Sequence, residues 1–276
     1  YKNKASKAGD EPVATISNEE TKERMICLGL VFAVCTFFWM AFHQNGATLT
    51  YFAQDYVVEQ VFGTETMIYN VVNLVIAIFA VYGFFGLFQS KTSKGRSIAT
   101  IIIIACACAL YYMYSTHPDS YTIEAPIFQQ FNPCFVVMLT PVSVAFFGWL
   151  AKKGKEPKSP VKIGLGMLVA ALGFIIMLAY SLGLPTPDAQ EAAIANGEAV
   201  GRITANSLIG VYFVLTVAEL LLSPVGISFV SKVAPPQYKG AMMGCWFIST
   251  FAGNFLVSIP CMLWCGFYLT VVWGVL

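Results

Sequence analysis

Met25-Ile-Cys-Leu-Gly-Leu-Val-Phe-Ala-Val-Cys-Thr-Phe-Phe-Trp39-Met-Ala-Phe-His43-Gln44-Asn45-Gly46-Ala-Thr48-Leu-Thr50-Tyr-Phe-Ala-Gln54 runs thirty residues without Asp, Glu, Lys or Arg. About 20 such residues suffice to cross the hydrocarbon core of a bilayer as a helix. Working outward, 67–90, 97–118 and 125–151 are equally free of those four residue types. Apolar residues make up 57% of the 276 positions and charged residues only 11%, against about 25% charged in soluble domains. The alternating segments of about 10 residues that mark an outer-membrane barrel are missing. The sequence therefore predicts an all-α, polytopic membrane protein. Eight segments are expected, near 25–54, 67–89, 97–115, 125–151, 161–183, 206–232, 239–259 and 262–276.

The charges sort by loop. Lys2, Lys4, Lys7, Lys22 and Arg24 precede the first segment. Lys91, Lys94 and Arg96 follow the second, Lys152, Lys153, Lys155, Lys158 and Lys162 follow the fourth, and Lys232 and Lys239 follow the sixth. These alternate loops hold fifteen of the sixteen basic residues; Arg202 is the exception. The intervening loops are acidic, with Asp55, Glu59, Glu65, Asp119, Glu124, Asp188, Glu191 and Glu198. An excess of Lys and Arg marks the cytoplasmic side, so the tail 1–24 is expected in the cytoplasm, as a linker between two membrane halves. The net charge of +1 singles out no partner. The eight cysteines lie in or beside apolar segments without zinc-ligand spacing and read as small lipid- or core-facing residues.

Polar side chains inside spans are costly, and so informative. Glu219 is the only acid deep within a segment. Glu219, Ser223 and Gly226 share a helix face, and Pro224 is expected to kink or open the helix one turn past the acid. That places Glu219 as a substrate or proton site, against the alternative of a buried carboxyl kept for packing. In the first segment Trp39, His43, Gly46 and Thr50 would line one face of a continuous helix; an unshifted His43 would titrate near neutral pH, against the alternative of interhelical hydrogen-bond glue. Asn132 precedes Pro133 and is therefore biased away from helical geometry; Pro141 adds a further kink. Gly240 and Gly244 form a small-xxx-small face suited to close packing. Trp246 is either a pocket wall or a core aromatic.

Four runs together resemble one family. Phe38-Trp39-Met-Ala-Phe-His43-Gln44-Asn-Gly46, Gln129-Gln-Phe-Asn132-Pro133, Glu219-Leu-Leu-Leu-Ser223-Pro224-Val-Gly226 and Gly240-Ala-Met-Met-Gly244-Cys-Trp246-Phe are similar to core helices seven, eight, ten and eleven of the proton-coupled oligopeptide transporters. These belong to the major facilitator superfamily, whose two six-helix halves rock about a central site. The resemblance covers roughly residues 25–276. It implies the C-terminal six-helix bundle, with 67–115 as an inserted transmembrane hairpin serving as scaffold or oligomer contact. It also implies a partner half of six helices outside this sequence, which holds the peptide carboxylate and the acidic motif of the first helix.

By the same resemblance the function is proton-coupled symport of di- and tripeptides. Asn132, Glu219, Trp246, Gln129 and Ser223 would bind the substrate, with Asn132 and Glu219 on its amino terminus. Glu219, His43 and Gln44 would couple protons and gate, and Pro224, Pro133 and Pro141 would be the kinks. Where His43 stands the family carries an acid, and Thr48 replaces the arginine of animal members. Either His43 takes over as the titrating group or gating uses hydrogen bonds alone. The resemblance implies no enzyme activity, no metal or cofactor beyond the proton gradient, and no nucleic-acid partner. It implies a multi-pass protein of a cell membrane, in bacteria the inner one. A nutrient sensor, or a carrier of another small solute such as nitrate, remains the alternative on the same fold.

Overall fold

A computed structural model describes residues 17–276 except 199 and 265. Most of the expected tail, 1–16, lies outside the described residues, Lys2, Lys4 and Lys7 included. Its last part is helical. Helix α1 spans Asn18–Phe42, and the Ser17 hydroxyl caps it by accepting from the Glu20 amide at 3.1 Å. Glu19 and Glu20 in the first turn suit the positive end of the helix dipole.

The first span does not continue as one α-helix. His43–Gly46 form a 3₁₀ turn, and α2 (Thr48–Tyr56) restarts after Ala47. Asn45 and Gly46 are poor helix formers, and the side chains around them bond the backbone instead (see below). The expected continuous face of Trp39, His43, Gly46 and Thr50 is therefore interrupted.

Strand β1 (Gln60–Phe62) leads into α3 (Val71–Gln89) and α4 (Ser93–Ser115), and strand β2 (Ser120–Thr122) returns antiparallel to β1. The Val61–Tyr121 register ties the entry of this hairpin to its exit. Asn70 caps α3 by accepting from the Val72 amide at 2.9 Å. Gly83 and Gly86 let α3 approach α4: a Cβ on Gly83 would lie 3.0 Å from Ile103.

After a 3₁₀ turn at Ala125–Gln130 come α5 (Phe131–Lys152) and α6 (Ser159–Tyr180). The short α7 (Pro187–Ala195) leads to α8 (Ala205–Val233), then α9 (Lys239–Leu256), α10 (Ser258–Trp264) and α11 (Leu269–Val275). Among the described residues seven stretches are long and apolar enough to span a membrane, 205–233 among them. The expected eighth, 262–276, is split. Gly266 turns the chain with φ +96°, a conformation that favours glycine, and the seven residues of α11 rise only about 10 Å.

The expected bias of Asn132 away from helical geometry is overturned. Pro133 is the third residue of α5, where its missing N–H would have had no intrahelical partner. Asn132 is accordingly helical. Helices α5 and α8 run without interruption through Pro141 and Pro224, so α8 is not opened beside Glu219.

Helix α8 is the axis of the bundle. Leu208, Val211, Leu215, Ala218 and Leu222 are fully buried on it. Gly166 and Gly173 bring α6 against it, and a Cβ on Gly166 would stand 3.0 Å from the Ala218 carbonyl. Helix α9 meets α1 at Gly253, where a Cβ would stand 2.7 Å from the Thr36 carbonyl. Gly240 and Gly244, the expected packing face, have open space beside them. The close contacts fall where backbones cross, which the spacing of glycines alone does not reveal.

The acidic loops gather at one end of the bundle. The Tyr56 hydroxyl donates to the Pro185 carbonyl at 2.9 Å, and Gln190 donates to the Asp55 carbonyl at 2.7 Å. Arg202 donates to the Val57 carbonyl at 3.0 Å and pairs with Glu59 at 2.5 Å. At the other end Arg24 reaches the Val233 carbonyl at 3.4 Å.

Candidate functional site

Asn132 and Glu219 are brought together although 87 residues separate them. The Asn132 amide nitrogen donates to Glu219 Oε2 at 3.2 Å and to the Thr216 hydroxyl at 3.1 Å. Reversing the amide would set its oxygen against the carboxylate, so the network orients it. Thr216 is fully buried and donates to the Tyr212 carbonyl at 2.8 Å. Its lone pairs are therefore what receives Asn132. The Tyr212 hydroxyl in turn donates to the Asn45 carbonyl at 2.6 Å, and the Thr50 hydroxyl reaches the same carbonyl at 3.3 Å. Gln129, on the exposed side, donates to Thr50 at 3.1 Å.

The result is one connected patch. It runs from the broken first span through Tyr212 and Thr216 to Asn132 and Glu219. Both members of the Asn132–Glu219 pair are half-buried. Asn132 spends both amide protons inside the protein, so its carbonyl oxygen is left as an acceptor. A carboxylate has room for about four hydrogen bonds, and among the described residues Glu219 receives one. Such a patch offers acceptors and negative charge to a cationic donor.

The other expected residues are placed differently. His43 Nδ1 lies 2.8 Å from the Trp39 carbonyl; a carbonyl can only accept, so Nδ1 carries the proton, and Nε2 has no hydrogen-bond partner among the described residues. The ring leans on Trp39 with centroids 5.2 Å apart. No bond joins it to Glu219 among the described residues. Gln44 is fully buried and satisfied: its amide donates to the Met40 and Val257 carbonyls, both at 3.2 Å, and its oxygen accepts from Thr48 at 2.9 Å. It fastens the 3₁₀ break to the end of α9. Ser223 follows Glu219 by one turn on the same face. Trp246 is only 2% exposed, its ring seated on Gly226 where any Cβ would overlap it. It stands in the α8–α9 contact, two turns along the same face of α8 from Glu219.

Tyr212 and Thr216 were not singled out from the sequence. A signal existed, since 212, 216, 219, 223 and 226 make one helical stripe that extends back from the acid.

The PTR2 family model, described as the POT family, matches residues 100–264. This is more than half of the chain. The chain belongs to the POT family. Among curated POT-like relatives, dipeptide and tripeptide permease B of Salmonella typhimurium is 30% identical over 183 residues, covering 61% of this chain and 35% of that one. Peptide transporter YePEPT of Yersinia enterocolitica is 28% identical over 190 residues, covering 62% and 34%. The chain thus spans about a third of the length of these relatives. A crystal structure of a peptide transporter POT in complex with sulfate aligns with 96% of this chain and 39% of its own, at 20% identity and a TM-score of 0.60. That likeness supports the fold. This POT chain is a multi-pass membrane protein.

Proposed function

We propose that the protein is a proton-coupled symporter of di- and tripeptides, and that this chain holds the peptide amino terminus. The observation that carries the reading is the Asn132–Glu219 pair, a half-buried acid in a spanning helix with most of its acceptor capacity unused. A peptide ammonium carries a positive charge and three donors. It fits the free oxygens of Glu219 and Asn132 in charge and in hydrogen-bonding capacity. The names of the relatives, which include a dipeptide and tripeptide permease, favour the same substrate class.

In this mechanism ionised Glu219 holds the ammonium and protonated Glu219 releases it, so one side chain senses both cargo and proton. His43 and the 3₁₀ break at 43–46 act as a second element, linked to Glu219 through the Asn45 carbonyl, Tyr212, Thr216 and Asn132. The missing carboxylate contacts come from a second six-helix half. The basic loops face the cytoplasm, by the excess of Lys and Arg on one end, and the membrane is the bacterial inner membrane.

Uptake of labelled dialanine into proteoliposomes holding the full-length protein tests this. An inward proton gradient is expected to stimulate uptake. Glu219→Gln is expected to fold and to lose most of it. Wild-type uptake by that variant would remove Glu219 from the mechanism.

A further inference from the structure

Helices α5 and α6 both pack on α8, yet they make little contact with each other. The space between them is an apolar groove of about 450 Å³. Its walls include Val142 and Phe146 of α5 and Leu165 and Val169 of α6, over a floor of Leu220 and Leu221 of α8. These floor residues are turned away from the Glu219 stripe. The lining carries almost no polar surface, Ser143 apart, so the groove cannot take a zwitterionic peptide.

Two features name an occupant. The first is depth. On α5 the lining runs from Leu139 to Leu150, a rise of about 16 Å, which is half of a hydrocarbon core about 30 Å thick. The groove is one leaflet deep. The second is charge. One end is lined by Leu150, in the last turn of α5, and by Pro157, where Lys152, Lys153, Lys155 and Lys158 cluster with Glu156 as the one acid among them. The Lys155 amide donates to the Leu150 carbonyl at 3.0 Å, which holds the loop against the groove. Lys162, paired with Glu156 at 2.5 Å, sits 4.0 Å from the centre of the Phe147 ring in the groove wall. Lys153 is engaged over Trp149 at 3.8 Å. Lys152, Lys155 and Lys158 are exposed and form no ion pair among the described residues.

We infer that this groove binds one anionic phospholipid of the bilayer, with an acyl chain between α5 and α6 and the headgroup phosphate against Lys155 and Lys158. Basic residues at the mouth of an interhelical pocket recognise acidic headgroups in this way. The apolar floor and walls account for the chain. The site is independent of the peptide reading, since it shares none of that reading's side chains.

Native mass spectrometry of the full-length protein in detergent tests the site, with dioleoylphosphatidylglycerol and dioleoylphosphatidylcholine as probes. The wild type is expected to retain one phosphatidylglycerol more tightly than phosphatidylcholine. Val142 and Leu165 are 43% and 40% exposed, so a larger side chain at either fills the groove without disturbing the core. Leu165→Trp is expected to reduce retention of both lipids, and Val142→Trp to do the same from the opposite wall. Lys155→Gln with Lys158→Gln is expected to abolish the preference for phosphatidylglycerol, a loss of about tenfold or more. Equal retention of the two lipids by the wild type would overturn the proposal. So would undiminished phosphatidylglycerol binding in both tryptophan variants, or no retained lipid at all, which would mean that protein covers the groove.

Discussion

At the residue scale, the acid in α8 is held in a particular environment rather than merely buried. Thr216 spends its proton on the Tyr212 carbonyl and its lone pairs on Asn132, and Asn132 spends both amide protons on α8. Thr216→Val keeps the shape and removes the acceptor. Asn132 then loses one of its two anchors, at a cost of about 1 kcal/mol. The Michaelis constant for dialanine is expected to rise about fivefold, with a smaller change in maximal uptake, measured in the proteoliposome assay. A residue that served packing alone would shift thermal stability and leave that constant where it was. Glu219 was legible from the sequence because charge in a span is costly. Asn132 as its partner was legible only through the family resemblance, since no spacing rule connects positions 132 and 219.

At the element scale, the first span is a broken helix and the break is fastened. Gln44 makes three hydrogen bonds, two of them to carbonyls on different elements. Gln44→Ala leaves the Val257 carbonyl and the Thr48 hydroxyl without that partner, at about 1–3 kcal/mol. A lower melting temperature and faster amide exchange at 43–48 are the expected readings. The glycines separate in the same way. Gly253→Ala pushes a methyl toward the Thr36 carbonyl and the Met40 amide nitrogen, backbone atoms at 2.7 and 3.0 Å that cannot move aside as a side chain can. Overpacking of this kind costs about 1–3 kcal/mol. Gly240→Ala meets open space and gains up to about 1 kcal/mol of helix propensity. Melting temperatures in detergent should therefore move in opposite directions. The small-residue motif at 240 and 244 points to α9, and among the described residues the close backbone contact of that helix falls at Gly253.

At the scale of the whole molecule, the charge pattern and the architecture agree. Loops 55–66, 116–124 and 184–204 are tied together by the β1–β2 pair, the Val57–Ile203 bridge and the Arg202–Glu59 pair. The lysine-rich loops lie at the opposite ends of the same helices. Cysteines placed at Asp119 and at Lys155 test the orientation. A membrane-impermeant maleimide is expected to label Asp119→Cys in intact cells and Lys155→Cys only after permeabilisation, the sites being distinguished by peptide mapping. The reverse pattern would invert the topology. The hairpin of α3 and α4 enters and leaves at the acidic end, so it adds two crossings without changing the side of any later loop.

The sequence by itself determined what depends on one solvent and one helix: the membrane, the place of seven of the eight spans, the sorting of charge, and the acid that stands out. Transfer into hydrocarbon is a per-residue cost, and it can be summed along a chain without knowing the fold. Tertiary structure alone decided the rest. It decided how the 3₁₀ break at 43–46 is fastened, because Gln44 bonds the Val257 carbonyl at the end of α9 and Tyr212 of α8 bonds the Asn45 carbonyl, contacts that no local pattern contains. It decided that α8 stays helical through Pro224, within a helix packed against both α6 and α9. It decided that Trp246 is buried with its ring seated on Gly226. Each of these is a contact between distant positions, and its energy exists only once the helices have met.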